Sequence, residues 1–264
     1  MNEKMRVRKV LNTCLDEAGK IILKGFGLTH QIKKKAAVSI VTEIDLAADA
    51  KIRALIRRNF PDHHIMTEEA KPFEGDSDYR WIIDPLDGTT NFAHGVPICC
   101  VSIGVEYKGE IILGGVFNPM MKERFFAEAG KGAFLNGKRI RVSPCATLID
   151  SLLVTGFPYD GQEKAGFYLS FFKALMEKCQ GVRRLGAAAI DLAYVACGRF
   201  EAFWEFNLQP WDVAAGILLV KEAGGKISNF EGGPFDVIKP AQLLASNGKT
   251  HPLILSTMQK VFTQ

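Results

Sequence analysis

The 264-residue chain is 47% hydrophobic and 23% charged, the balance of a folded globular protein, which excludes a disordered, collagenous or coiled-coil chain. Its 33 Lys and Arg against 29 Asp and Glu leave a formal charge of +4, too small and too dispersed to point to nucleic acid or a membrane surface as partner. The six cysteines, at positions 14, 99, 100, 145, 179 and 197, show neither a CxxC pair nor zinc-type spacing. The charged amino-terminal segment lacks the apolar stretch of an export signal. The expected setting is therefore the cytoplasm, with reduced thiols. The longest run without Asp, Glu, Lys or Arg, Gly88 to Val105, contains Gly, Thr, Asn, His and Pro, so no membrane span is expected.

Val7, Val10, Leu11, Cys14, Leu15, Ala18, Ile21 and Ile22 recur at helical spacing and predict an amphipathic helix that ends at Gly25-Phe26-Gly27. After the basic connection QIKKKAAVS, a second helix is predicted from Thr42, an N-cap with Asp45 three residues on, to the stop at Pro61. Strands follow: HIMT at 64–67, YRWIID at 79–84, then CCVSIGVEY and EIILGGVF about a Lys108-Gly109 turn. A second hairpin joins RFFAEAG to GAFLNGKRIRV. Beyond Pro144 helix and strand alternate: SLLVTGF as strand, a helix around Gly166 to Lys178, the short VRRLG, the helix AAAIDLAYVAC, the strand FEAFWEF, the helix WDVAAGILLVKEAGG, and a final strand and helix. With no repeat or flexible linker, the expectation is one domain over 1–264. Its approximate halves are a helix pair with antiparallel hairpins (1–145) and alternating helix and strand (146–264).

The chemistry concentrates in WIIDPLDGTTNF at 81–92. A hydrophobic strand delivers Asp84 at its end, Pro85 stiffens the turn, and Gly88 permits a backbone conformation closed to other residues. Asp84, Asp87 and the carbonyl of Leu86 can then face one point, a hard-oxygen set suited to Mg²⁺. Thr89 and Thr90 would open a helix or turn whose amides favour a phosphate. A bare DxxDG is also a common polar turn. Glu68 and Glu69 after HIMT, Asp45, and Asp212 in the first turn of WDVAAG each have a structural reading: solvated loop, capping box and helix-dipole partner, respectively. Together, at the ends of predicted elements, they read as one site.

WIIDPLDGTTNF followed by WDVAAGILLVKEAGG resembles the two signatures of the inositol monophosphatase family of Mg²⁺-dependent phosphatases, over about Val41 to Ala245. RRLGAAAIDLAYVACGRFEAFWE is similar to its bacterial members in particular. The resemblance implies a layered αβαβα sandwich, of the type shared with fructose-1,6-bisphosphatase, and two or three bound Mg²⁺ ions. It implies hydrolysis of a small phosphate monoester, myo-inositol 1-phosphate first, by metal-activated water. It makes Glu68, Asp84, the Leu86 carbonyl and Asp87 metal ligands, with Asp212 completing the second metal position. Thr89 would orient the attacking water, assisted by Asp45, with Glu68 counted among the catalytic groups. Phosphate contacts fall on Gly88 and Thr89. Polyol contacts fall on Asp87, Gly186, Ala187, Ala188 and Glu205, with Arg183 near the substrate. Lys33 to Lys35 occupy the family's mobile basic loop, and Ser39 stands where relatives often carry Asp in a DxVT pattern. Lithium sensitivity and a homodimer are further implications.

Other readings stay open at single positions. Glu205 is also a plain sheet-end charge, and Arg183 with Arg184 a solvated pair. His94 suits a loop hydrogen bond better than Mg²⁺. Trp81 and Trp211 are expected to pack beneath the acidic motifs, and Cys99 and Cys100 to be buried strand residues. Ser102 and Ser143 have no evident partner base, which favours direct attack by water over a phosphoenzyme. Relatives also handle fructose 1,6-bisphosphate, histidinol phosphate and nucleotide 3′-phosphates. A role as an interaction or regulatory protein that retains the metal site is an alternative of another class.

Overall fold

The computed structural model describes residues 3–34, 40–158, 161–239 and 242–262, with backbone alone for 161–163. Helix α1 (Glu3–Gly25) buries Val7, Val10, Leu11, Cys14, Leu15, Ala18 and Ile22, the stripe read from the sequence. Helix α2 (Glu43–Asn59) starts at the Thr42 cap and buries Ala48, Ile52 and Ile56. Between them, β1 (Lys33–Lys34) pairs antiparallel with β2 (Ile40–Val41). Lys35 and Ser39 lie outside the described residues.

Seven strands then form one sheet in chain order: β3 (His64–Thr67), β4 (Tyr79–Asp87), β5 (Cys100–Tyr107), β6 (Glu110–Asn118), β7 (Glu123–Glu128), β8 (Gly132–Leu135) and β9 (Lys138–Ile140). Only β3 and β4 run parallel within it. The short α3 (Thr89–Ala93) follows β4. Lys108 and Gly109 both have positive φ, 52° and 85°, which is the two-residue hairpin turn that matches strand twist. Asn136 and Gly137 do the same at 49° and 77°. The stretch expected as one strand, GAFLNGKRIRV, is thus a third hairpin: the Asn-Gly pair turns the chain back on itself.

The second sheet has the order β11-β10-β12-β14-β13, built from β10 (Leu152–Thr155), β11 (Gly181–Arg183), β12 (Ala202–Phe206), β13 (Lys226–Ser228) and β14 (Gln242–Ser246). β10 runs parallel to both neighbours, and β14 antiparallel to β12 and β13. Two strands therefore stand where one final strand is expected. Helices α4 (Gly161–Met176), α5 (Ala188–Ala196), α6 (Pro210–Glu222) and α7 (His251–Phe262) complete the chain, α4 starting a turn earlier than read.

Three cores stack these elements into αβαβα layers. Side chains of α1 and α2 pack on Trp81, Ile83, Val101 and Ile103 of the first sheet. The apolar α5 and α6 fill the space between the sheets, against Val116 and Phe125 on one side and Val154 and Phe203 on the other. Phe171 and Leu175 of α4, with Ile254 and Met258 of α7, cover the outer face of the second sheet. Among the described residues no helix is long and apolar enough to cross a membrane.

Two paired glycines set how closely α6 lies on the first sheet. Gly104 on β5 stands opposite Gly114 on β6. A Cβ on Gly104 would meet the Ala214 Cβ at 2.7 Å, and one on Gly114 would meet the Ala215 carbonyl oxygen at 2.8 Å. Gly114→Ala is expected to lift α6, costing about 1–3 kcal/mol as overpacking does and lowering the thermal midpoint. Gly166→Ala, where a Cβ meets nothing within 4 Å in a helix, is the control, expected to hold or raise it. An unchanged midpoint for Gly114→Ala would refute the close approach.

Candidate active site

Local strand geometry gathers the acidic residues. Since β3 and β4 run parallel with Thr67 opposite Ile83, the next residues along, Glu68 and Asp84, leave at the same edge. The Glu68 amide donates to the Ile83 carbonyl at 3.2 Å. The β4–β5 register breaks between Asp84 and Asp87, a bulge that re-aims side chains at the strand end. The Leu86 amide donates to Asp84 Oδ1 at 3.0 Å, closing the turn that the Asp-Pro pair begins. Gly88 follows at φ 85°, where a Cβ would also meet the Ile98 carbonyl at 2.8 Å, so no other residue fits without strain.

Helix ends bring in the rest. Asp45 Oδ2 accepts from the Thr42 amide and hydroxyl as a capping box, while Oδ1 accepts from the Thr89 hydroxyl at 2.8 Å. The capping and functional readings of Asp45 thus coexist in one side chain. One turn on, Asp49 takes Thr67 Oγ1 at 2.7 Å and Arg53 Nε at 2.7 Å, pinning α2 to β3 just ahead of Glu68. Asp212 accepts from the Gln209 amide at 2.7 Å in the first turn of α6. Asp87 Oδ2 accepts from the Ala189 amide at 2.8 Å, tying α5 to the same motif. Asn91 adds a second tie, its amide donating to the Leu185 and Ile98 carbonyls at 2.8 Å each.

These groups line one cavity of about 480 Å³, with Glu68, Asp84, Leu86, Asp87, Gly88, Thr89 and Asp212 in its wall together with Gly186, Ala187, Ala188 and Glu205. Asp45 stands just behind, through Thr89. Arg183 is placed otherwise than expected. It ends β11 with its guanidinium near the Val182 carbonyl; both arginines are exposed, and Arg184 is the one that lines the cavity. Trp81 is fully buried, whereas Trp211 lines the cavity instead of packing beneath it. His94 is exposed and caps α3 through its backbone, and Cys99 and Cys100 are buried. Ser102 donates to the Trp211 carbonyl. Phe157, Pro158 and Asp191, with Gly156 and the segment 206–209, also line the wall without having been singled out in the sequence.

The site is electrostatically unbalanced toward negative charge. Burial, then the charges of Glu68, Asp87 and Asp212, push Asp84 well above the carboxylate range. Burial raises Asp87 to about 7 against the Ala189 and Ala188 amides, and Glu68 adds to the rise. Burial also raises Asp45, opposed by Thr42 and Thr89. Glu205 rises to about 8 through burial and Asp212, with Arg184 pulling the other way. Like charges packed out of water are costly unless a cation joins them. Among the described residues, no three His, Cys, Asp or Glu already close as a group that could hold a metal ion. An open, all-oxygen set still fits Mg²⁺, which takes few protein ligands and completes its shell with water and phosphate oxygens.

The Glu205 shift has a pH signature. Its folded-state value of about 8 stands above the ordinary 4.5, so ionisation opposes folding. The penalty is absent below about pH 4.5, builds to about pH 8, and is then full. In metal-free protein, the Tm advantage of Glu205→Gln over wild type is expected to grow across that window and level off above it. An advantage that does not vary with pH would refute the buried charge.

The sequence pattern of the inositol monophosphatase family matches residues 3–262. The chain belongs to that family of phosphatases. It is 48% identical over 233 residues to the Nus factor SuhB of Pseudomonas aeruginosa, covering 86% of each chain. It is 44% identical over 232 residues to the inositol-1-monophosphatase of Caulobacter vibrioides, covering 87% of this chain and 91% of that one. The crystal structure of the extragenic suppressor protein suhB from Bartonella henselae superposes with a TM-score of 0.93 at 39% identity, covering 97% and 99% of the two chains. The αβαβα layering is thus the family's fold.

Proposed function

We propose that the protein is a Mg²⁺-dependent phosphoric monoester hydrolase whose substrate is myo-inositol 1-phosphate, with tolerance for related sugar and polyol phosphates. The observation that carries this reading is that one cavity is lined both by the carboxylate cluster and by Glu205 with the turn at Gly186–Ala188. The carboxylates suit a cation and phosphate, and Glu205 with the turn suits a hydroxyl-bearing leaving group. The name of the Caulobacter relative supports the substrate. The reading carries one catalytic domain, two or three Mg²⁺ ions, inhibition by lithium, a homodimer and a cytoplasmic setting.

Glu68, Asp84, the Leu86 carbonyl, Asp87 and Asp212 would hold the ions. Mg²⁺ bound there supplies neutralisation of phosphoryl charge and acidifies water. The chain's own groups do the rest. The Thr89 hydroxyl donates to Asp45, so its oxygen is left to accept a hydrogen bond from the attacking water and orient it. Asp45, raised by burial, is the stronger acceptor for the proton that passes along this pair. Backbone amides of Gly88 and Thr89 meet the phosphate. Glu205 and the 186–188 turn orient the leaving group, with Arg184 standing where Arg183 is expected.

Phosphate release by the purified protein with Mg²⁺ tests the reading. myo-Inositol 1-phosphate is expected to be cleaved faster than fructose 1,6-bisphosphate, histidinol phosphate or a nucleotide 3′-phosphate; another order overturns the substrate, and no release at all overturns the activity. The Pseudomonas relative's name, Nus factor, favours a second reading in which the chain also serves as an interaction protein. A catalytically dead variant that still rescues loss of the gene would support it, and a failure to rescue would remove it.

A further inference from the structure

The turn that brings Gly186, Ala187 and Ala188 into the cavity wall has little of its own to hold it there. It joins β11 to α5, and α5 opens at Ala187 without a side-chain cap. The first amides of a helix need partners from outside it, and the 87–91 segment supplies what is missing. Asp87 Oδ2 accepts from the Ala189 amide at 2.8 Å, and the Asn91 side-chain amide donates to the Leu185 carbonyl at 2.8 Å. Leu185 and Ala189 flank 186–188, so the two bonds grip the turn from both sides.

Asn91 commits its amide fully. Carbonyl oxygens only accept, so Nδ2 faces both Leu185 and Ile98 and gives one proton to each, at 2.8 Å. The turn lies close against it: Gly186 has φ 88°, and a Cβ there would stand 3.2 Å from Asn91 Nδ2. Ala187 packs on the same motif one step earlier, its Cβ 3.2 Å from where a Cβ on Gly88 would stand. Asn91 itself does not line the cavity. It reaches the turn from α3, the short helix that opens with Thr89.

We propose that Asn91 is a positioning residue: through the Leu185 carbonyl it fixes the 186–188 turn against the carboxylate cluster, and so sets the preference for hydroxyl-bearing leaving groups. The Asp87 bond alone would leave the turn free to pivot about Ala189; the second bond removes that freedom. Groups that meet a ligand need such support from residues that do not touch it. This deepens the phosphatase reading above and rests on it.

The test measures phosphate release from myo-inositol 1-phosphate and from phenyl phosphate, whose leaving group has no further hydroxyls, by the full chain with Mg²⁺. Wild type is compared with Asn91→Asp, which keeps the shape but cannot donate when ionised, with Asn91→Ala, and with Gly186→Ala, whose added Cβ crowds Asn91 Nδ2 and the Arg184 guanidinium. Both Asn91 variants are expected to raise KM for the inositol ester about tenfold, the scale of one hydrogen bond, with KM for the phenyl ester changed far less. The rise in Tm on adding Mg²⁺ is expected to match wild type, since Asn91 holds no cation. The double variant Asn91→Ala/Gly186→Ala is expected to be no worse than the worse single one, because both act on one turn. Equal losses on the two esters, a lost Mg²⁺ response or additive losses would each overturn the proposal. So would failure of both Asn91 variants to fold, which would make the residue a tie for stability alone. If wild type releases phosphate from neither ester, the phosphatase reading itself fails and takes this one with it.

Discussion

Asp87→Asn is expected to lower phosphate release by at least about 10²-fold, the cost of one lost charge-stabilising group in a transition state, and by more where an ion is lost with it. The substitution preserves shape, and the amide oxygen can still accept from the Ala189 amide that holds Oδ2 at 2.8 Å. What it changes is the anionic charge of the carboxylate cluster, where Asp87 helps raise Asp84. Metal-free protein is expected to be stabilised by the change, since burial has already raised Asp87 to about 7 and ionising it opposes folding. Added Mg²⁺ reverses the order. A ligand at 100 times its Kd stabilises by about 2.7 kcal/mol, a gain that the wild type shows and the variant does not. Thermal melts with and without Mg²⁺, beside phosphate assays, read both effects, and unchanged turnover would refute the site assignment.

The parts of the site that local chemistry writes into adjacent residues were legible in the sequence. Asp84, Asp87 and Gly88 lie in one strand-turn unit, and Asp-Pro and Asp-Gly each act within a few residues. Asp45 could be placed as the third residue of a capping box and Asp212 as a first-turn acid, although the same patterns explain them as a cap and a dipole partner. Parallel pairing of β3 and β4, which brings Glu68 beside Asp84, is a nonlocal fact that no window of sequence contains. The choice between Arg183 and Arg184 is lost for a related reason. Adjacent residues at a strand end point to opposite sides, and which side faces the cavity depends on where β11 docks in its sheet. Asp191 did leave a trace, a lone acid in AAAIDLAYVAC, but a first-turn acid also reads as a dipole partner. The Asn136-Gly137 turn was a local signal overridden by the strand-forming residues around it.

Thr89→Ala is expected to reduce kcat by about 10²–10⁴-fold, the range for a lost proton-transfer group, with KM changed far less. The hydroxyl donates to Asp45 Oδ1 at 2.8 Å and lies 3.0 Å from the Leu86 carbonyl oxygen. With one proton it makes one strong donation at a time, and its lone pairs remain for water. Thr89→Ser keeps the hydroxyl and is expected to retain most of the rate. Asp45→Asn separates chemistry from architecture. An Asn oxygen can still accept from the Thr42 amide and keep the α2 cap, whereas Asp45→Ala would lose a cap worth about 1 kcal/mol and confuse the two. As one relay, Thr89 and Asp45 are expected to be non-additive, the double variant Asp45→Asn/Thr89→Ala falling no further than the worse single one. Additive losses would mean that the two act on different steps, with Asp45 in the site only as the cap that brings α2 to Thr89.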